Sequence, residues 1–280
     1  MQNIFVVGAG TMGLDIAQVF AKAGLTVVVR DISDAIIENA EKKMNANLAK
    51  LVTKGKMTQE DADEVRGRIR YTVAMDPARD ADLVLEAIIE RFDLKKAVFQ
   101  ELDAICKPAC IFCSNTSSIS ITEMAAVCGR PDRFLGMHFF NPATVMKLIE
   151  ITRSLTSSDE TFRAVYELSE RIGKQPVEVQ DSPGFVVNRI LVPMMNEAAF
   201  VLSEGVASAE DIDRAMQLGA NHPMGPLHLA DLVGLDVVLY ICDVMYSETH
   251  DPKFRACYLL RKMVRAGKLG RKSGEGFFKY

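Results

Sequence analysis

"VVGAGTMG", residues 6–13, joins an apolar, β-branched run to an amphipathic segment and places glycines at positions 8, 10 and 13. That spacing lets the chain turn tightly after a strand, leaves room for a ligand against the backbone, and brings the next helix close to the strand. The helix start presents unspent N–H groups and the positive end of its dipole, which suits a phosphate. The next strand-like run, "TVVVRD", ends at Asp31, 23 residues after Gly8. A carboxylate there is placed to accept hydrogen bonds from the ribose hydroxyls of NAD. Gly8, Gly10, Thr11, Met12, Gly13 and Asp31 therefore form a candidate dinucleotide site. Asp31 favours NAD over NADP, whose 2′-phosphate removes a donor and adds like charge. Arg30 beside it keeps NADP as the alternative cofactor.

Outward from this turn, short strand-like runs alternate with longer amphipathic ones. "IFVV", "TVVVR", "IRYTV", "DLVLEAI" and "CIFCS" read as strands, with helical patterns over residues 11–23, 33–53 and 92–105. The alternation predicts βαβ units and a parallel sheet covered on both faces. Asp181-Ser182-Pro183-Gly184 is a turn cluster, after which the strand signal fades and helices are expected near 184–204, 208–218, 226–247 and 254–266. The expected fold is α/β: a Rossmann-type, mostly parallel sheet in a domain over 1–182, followed by an all-α domain over 183–280. The segment from Ser33 to Lys54 ends at Gly55, and Thr58 precedes Gln59, Glu60 and Asp61 like an N-cap, predicting a helical hairpin. Lys50, Lys54 and Lys56 lie near its tip, where cations also complement a helix C-terminus.

Composition bounds the function. A net charge of −4 argues against general nucleic-acid or anionic-membrane binding. The longest apolar region, Phe185 to Leu202, is interrupted by Asn188, Arg189, Pro193, Asn196 and Glu197, so it reads as a buried helix and not a membrane span. The first residues run straight into a strand without an export signal, and the cytoplasm is the expected location. Cys106, Cys110 and Cys113 have a C-x3-C-x2-C spacing. They lie in or beside an apolar run with no histidine near in sequence, so no metal is expected.

Two strand-like runs in "LGMHFFNPATVMKLIEI", residues 135–151, each contain one ionisable group. Antiparallel pairing about a loop centred on Thr144 sets His138 opposite Glu150 and Phe139 opposite Ile149. Met137, Phe139, Ile149 and Ile151 then face the core, while His138 and Glu150 share the other face within hydrogen-bonding reach. A carboxylate that orients an imidazole and offsets its positive charge is what a general base requires. "SNTSS", residues 114–118, follows the strand "CIFC" at a carboxyl end, where ligands bind in open parallel sheets.

"VVGAGTMG", "SNTSSISITE", "HFFNPATVMKLIEI", "DSPGFVVNRIL", "HPMGPLHLADLVGLD" and "GRKSGEGFF" together resemble the 3-hydroxyacyl-CoA dehydrogenase family over nearly the whole chain, closest to its short, single-function members. The resemblance implies NAD-dependent interconversion of (S)-3-hydroxyacyl-CoA, such as 3-hydroxybutyryl-CoA, and 3-oxoacyl-CoA. It implies a catalytic dyad at His138 and Glu150, with Ser117 and Asn188 polarising the substrate. Glu90, Lys95 and Asn141 match positions near the nicotinamide and its ribose, and Lys50, Lys54 and Lys56 match the coenzyme A region. It also implies a homodimer formed through the C-terminal helical domain. One position departs from the family: many members have a small residue and glycine after Gly13, whereas this chain has Leu14-Asp15, an acid that could repel phosphates. Two alternatives stay open: a related dehydrogenase of a free hydroxy or sugar acid, and a non-enzymatic NAD-binding sensor or structural protein.

Overall fold

Alternation of β-branched strands with amphipathic helices produces one eight-stranded sheet in the computed structural model, which describes all 280 residues. In chain order the N-terminal elements are β1 (Asn3–Val7), α1 (Thr11–Lys22), β2 (Thr26–Arg30), α2 (Asp34–Thr53), α3 (Gln59–Gly67), β3 (Ile69–Thr72), β4 (Leu83–Glu86) and α4 (Phe92–Ile105). They continue with β5 (Ile111–Ser114), α5 (Ile121–Ala126), β6 (Phe134–Phe139), β7 (Leu148–Arg153), α6 (Asp159–Arg171) and β8 (Gln175–Gln180). The strand order is β3-β2-β1-β4-β5-β6-β7-β8; every neighbouring pair is parallel except β6 and β7. This is a Rossmann order whose direction of travel reverses between β1 and β4, opening a crevice at the strands' carboxyl ends.

The α2–α3 hairpin forms as its caps require. Ser33 accepts from the Ile36 amide, and Thr58 with Asp61 forms a reciprocal capping box. The core against α1 is built from alternate strand residues, including Ile4, Val6, Val27 and Val29. Met137, Phe139, Ile149 and Ile151 extend this same core, as the alternation in β6 and β7 requires.

The chain divides into two compact units, Met1–Asp181 and Ser182–Tyr280. The second contains α7 (Val187–Ser203), α8 (Ala209–Gly219), α9 (Pro226–Val233), α10 (Leu235–Thr249) and α11 (Tyr258–Arg265). The single helix expected over 226–247 is two helices. Gly234, at φ 102°, takes a conformation open to glycine and closed to an α-helix, and separates α9 from α10. Val192, Met195, Leu235, Val238, Met245 and Leu260 form part of this unit's core. Asp231, buried on α9, fixes the C-terminal tail by accepting from the Phe277 and Phe278 amides, both at 2.9 Å, and from the Tyr280 hydroxyl at 3.1 Å.

Candidate active site

Strand register gathers the N-terminal candidates at one sheet edge. Val7 is level with Glu86, Glu86 with Ser114, and Ser114 with Gly136. The glycine turn after β1, the loops after β4 and β5, and His138 near the end of β6 therefore lie along one border. Three strand spacings, about 14 Å, separate β1 from β6.

The glycine turn has the form that a bound dinucleotide needs. A Cβ on Gly13 would lie 1.8 Å from the Gly8 carbonyl oxygen, and one on Gly8, at φ 109°, would lie 2.5 Å from the Ala87 oxygen. Only glycine permits this approach of α1 to β1 and β4. A Cβ on Gly10 meets nothing within 4 Å, so the backbone is open to an outside group, and no side chain caps α1. Thr11 is exposed and Met12 half-buried in its first turn. Asp31 holds the turn in shape: its Oδ2 accepts from the Ala9 amide at 2.7 Å and its Oδ1 from the Ile32 amide at 2.7 Å. These residues fit NAD.

A buried ionic network shapes the loops after β4 and β5. Lys95, only 1% exposed, donates to Glu86 at 2.7 Å and pairs with Glu90 at 3.0 Å. Glu86 also accepts from the Ile88 amide and the Ser114 hydroxyl. Glu90 accepts from the Thr116 and Ser118 hydroxyls and the Ser117 amide. Burial disfavours the charged form of Glu90, but the Lys95 ammonium and the two hydroxyls outweigh it and hold the carboxyl below its ordinary value. Burial likewise opposes the charge on Lys95, and the two carboxylates overcome it, raising its value. Lys95 thus fixes Glu90 and, through it, the backbone at Ser117. Thr116 belongs to the "SNTSS" stretch, whereas Glu86 completes this network and lay outside the set expected from the sequence; the available signal was a carboxylate ending the otherwise apolar run "LVLE".

His138 and Glu150 are direct register partners. Their side chains meet at 2.9 Å, Nδ1 to Oε2, and both are buried. Phe140 packs on the imidazole, with ring centroids 4.6 Å apart. Asn115 links the neighbouring loop to the end of β6: its Oδ1 accepts from the Phe139 amide at 2.8 Å. Ser117 is half-buried in that loop, and Asn141 is exposed just past β6, before a cis peptide to Pro142. Lys50, Lys54 and Lys56 are exposed around the tip of the α2–α3 hairpin. Asn188 is half-buried in the first turn of α7, in the second unit.

A second histidine–carboxylate pair lies within the helical unit. His228 Nδ1 is 2.6 Å from Asp213 Oδ2. Asp213, however, is already occupied in capping α9 through the Leu227 and His228 amides, and the ring stacks on Phe278 at 3.6 Å. That pair has a structural explanation. All six cysteines are buried with free thiols, and no group of three or more His, Cys, Asp or Glu side chains is arranged to hold a metal.

Comparison with known proteins agrees with this arrangement. Residues 3–182 match the model of the 3-hydroxyacyl-CoA dehydrogenase NAD binding domain, and residues 184–280 that of the 3-hydroxyacyl-CoA dehydrogenase C-terminal domain. A 3-hydroxybutyryl-CoA dehydrogenase of Clostridioides difficile is 50% identical over 278 residues, covering 99% of each chain. A probable 3-hydroxybutyryl-CoA dehydrogenase of Bacillus subtilis is also 50% identical, over 100% of this chain and 98% of its own. The crystal structure of (S)-3-hydroxybutyryl-CoA dehydrogenase from Ralstonia eutropha superposes with a TM-score of 0.97 at 50% identity, covering 100% of this chain and 99% of that one. Two family models that meet at the Asp181–Gly184 turn, and full-length relatives at half identity, place this chain in the 3-hydroxyacyl-CoA dehydrogenase family.

Proposed function

We propose that the protein interconverts (S)-3-hydroxybutyryl-CoA and acetoacetyl-CoA with NAD(H), using His138 and Glu150 for proton transfer. The carrying observation is the buried 2.9 Å contact between these side chains at the carboxyl edge of the sheet. Bound NAD supplies the hydride acceptor, or as NADH the donor, for C3 of the substrate. The glycine turn and Asp31 hold its phosphates and adenosine ribose, and Glu90 and Asn141 line its nicotinamide end.

With Nδ1 engaged by Glu150, His138 exchanges the proton of the C3 oxygen through Nε2. In oxidation the imidazole takes the hydroxyl proton; in reduction the imidazolium returns it. Glu150 keeps the ring in one tautomer and stabilises its cationic form where water does not. Ser117 donates to the C3 oxygen as it gains negative character, favouring the polar transition state. Lys50, Lys54 and Lys56 receive the phosphates of coenzyme A. The helical unit forms a homodimer, a reading supported by exposed Ile190, Val237 and Tyr240. No helix is long and apolar enough to cross a membrane. Six unpaired thiols favour the reducing cytoplasm as the site of action.

NADH oxidation with acetoacetyl-CoA and with free acetoacetate tests the substrate. Activity confined to the free acid, or absent on both, would overturn the assignment. His138→Gln is expected to retain NADH binding and lower turnover by about 10²–10⁴-fold. Near-normal turnover would remove His138 from the chemistry.

A further inference from the structure

Asp15 stands one turn inside the helix whose N-terminus forms the phosphate turn, where an acid ought to repel phosphate. Its carboxylate has another partner. Oδ2 accepts from the Ala143 amide at 3.1 Å. From the other side Lys174, only 9% exposed after α6, donates its Nζ to the Ala143 carbonyl at 2.5 Å and the Met146 carbonyl at 2.6 Å. Ala143 itself is fully buried, so its peptide is held at the N–H by α1 and at the C=O by Lys174. The Val145 and Met146 amides both donate to the Pro142 carbonyl, closing the loop on itself. Lys174 also attracts Asp15 electrostatically.

This loop joins β6 to β7 and carries Asn141, three residues after His138. We propose that Asp15 and Lys174 are positioning residues that tie the nicotinamide-end loop to the phosphate-binding helix. Cofactor phosphates and cofactor nicotinamide are then held by one mechanically continuous unit. On this view the carboxylate is committed to the Ala143 amide, with the Lys174 ammonium attracting it from the far side of the loop, and does not face the phosphates. The inference rests on the proposed use of NAD(H) and deepens it by naming residues that set cofactor affinity without touching the cofactor.

Asp15→Ala decides between opposite signs. Loss of a tie weakens NADH binding, whereas loss of a repelling charge strengthens it. Direct NADH titration without thioester is expected to show about 10-fold weaker binding, from loss of a charge-assisted contact. The KM for NADH should rise in parallel, with kcat and the KM for acetoacetyl-CoA within about 3-fold of wild type. Asp15→Asn keeps an acceptor for the Ala143 amide and should recover part of the loss. Hydrogen exchange at Ala143 should accelerate in Asp15→Ala while the strand amides of β6 and β7 stay protected. Unchanged or tighter NADH binding would overturn the proposal, as would a loss of protection spread through the whole sheet. If Asp15→Ala does not fold, Lys174→Met serves the same titration and must weaken binding in the same way. Failure of the wild type to bind NADH is a separate result and would overturn the cofactor reading itself.

Discussion

Asp31 commits one lone pair of each carboxylate oxygen to the backbone, through the Ala9 and Ile32 amides. A carboxylate oxygen accepts more than one hydrogen bond, so capacity remains for two ribose hydroxyls. The sequence left the direction of Arg30 open; its Nε donates to the Val73 carbonyl at 3.2 Å, anchoring the start of the guanidinium to the backbone after β3. Wild type is expected to prefer NADH over NADPH by at least about tenfold in kcat/KM, or roughly 1.4 kcal/mol. Asp31→Ser should narrow or invert that ratio, and should weaken NADH binding further because a short hydroxyl leaves the Ala9 amide without its carboxylate. A wild type that prefers NADPH, or a mutant ratio equal to wild type, would show that Asp31 is not the selector. The Asp31 position was legible because strand length and glycine spacing together fix where the second strand ends. The partners of Glu90 and Lys95 were not, because the network joins residues 86, 90, 95, 114, 116 and 118 from three elements through side chains that carry no local periodicity.

At the scale of elements, the α2–α3 hairpin separates its lysines from the sheet and leaves them in solvent. Exposed cations that contact a remote polyanion bind it similarly in ground and transition states. Replacing Lys50, Lys54 and Lys56 together by Ala should raise the KM for acetoacetyl-CoA about tenfold and leave kcat within about twofold. A truncated thioester lacking the nucleotide should lose nothing; equal losses on both substrates would mean that the lysines act through folding or the cofactor. The hairpin was readable from its caps, Ser33 and Thr58, and from Gly55 between its helices. The pairing of β6 with β7 was readable from alternation alone, because a slip of one residue would turn His138 into the hydrocarbon against α1. By contrast β8, "QPVEVQ", gave no strand signal: as an edge strand it buries little, with Val177 46% exposed. The break between α9 and α10 was hidden because an apolar pattern continues across Gly234 on both sides.

At the scale of the molecule, the helical unit buries its own core yet leaves Ile190 68%, Tyr240 43% and Val237 40% exposed. Apolar side chains left uncovered on helices α7 and α10 favour self-association. Light scattering is expected to give twice the chain mass, and Ile190→Glu with Val237→Glu should shift it to monomer while the far-ultraviolet circular dichroism stays helical. A wild-type monomer at micromolar concentration would exclude the dimer. The turn at Asp181-Ser182-Pro183-Gly184 stands where the alternation of strand and helix periods stops, and the two compact units part at the same place.

The shared border of Val7, Glu86, Ser114 and Gly136 has a consequence for how this protein tolerates change. Side chains along β6 alternate between the α1 core and the opposite face that carries His138, so their phase is set by counting from Gly136. Deleting Met137 alone would carry the imidazole of His138 into the hydrocarbon and swing the phenyl ring of Phe139 outward into its place. Deleting two residues would restore the phase and shorten the reach of the strand instead. A parity of two, invisible to any comparison of side-chain chemistry, therefore guards the pairing of His138 with Glu150: the length of the strand is as much a part of the candidate site as the histidine it carries.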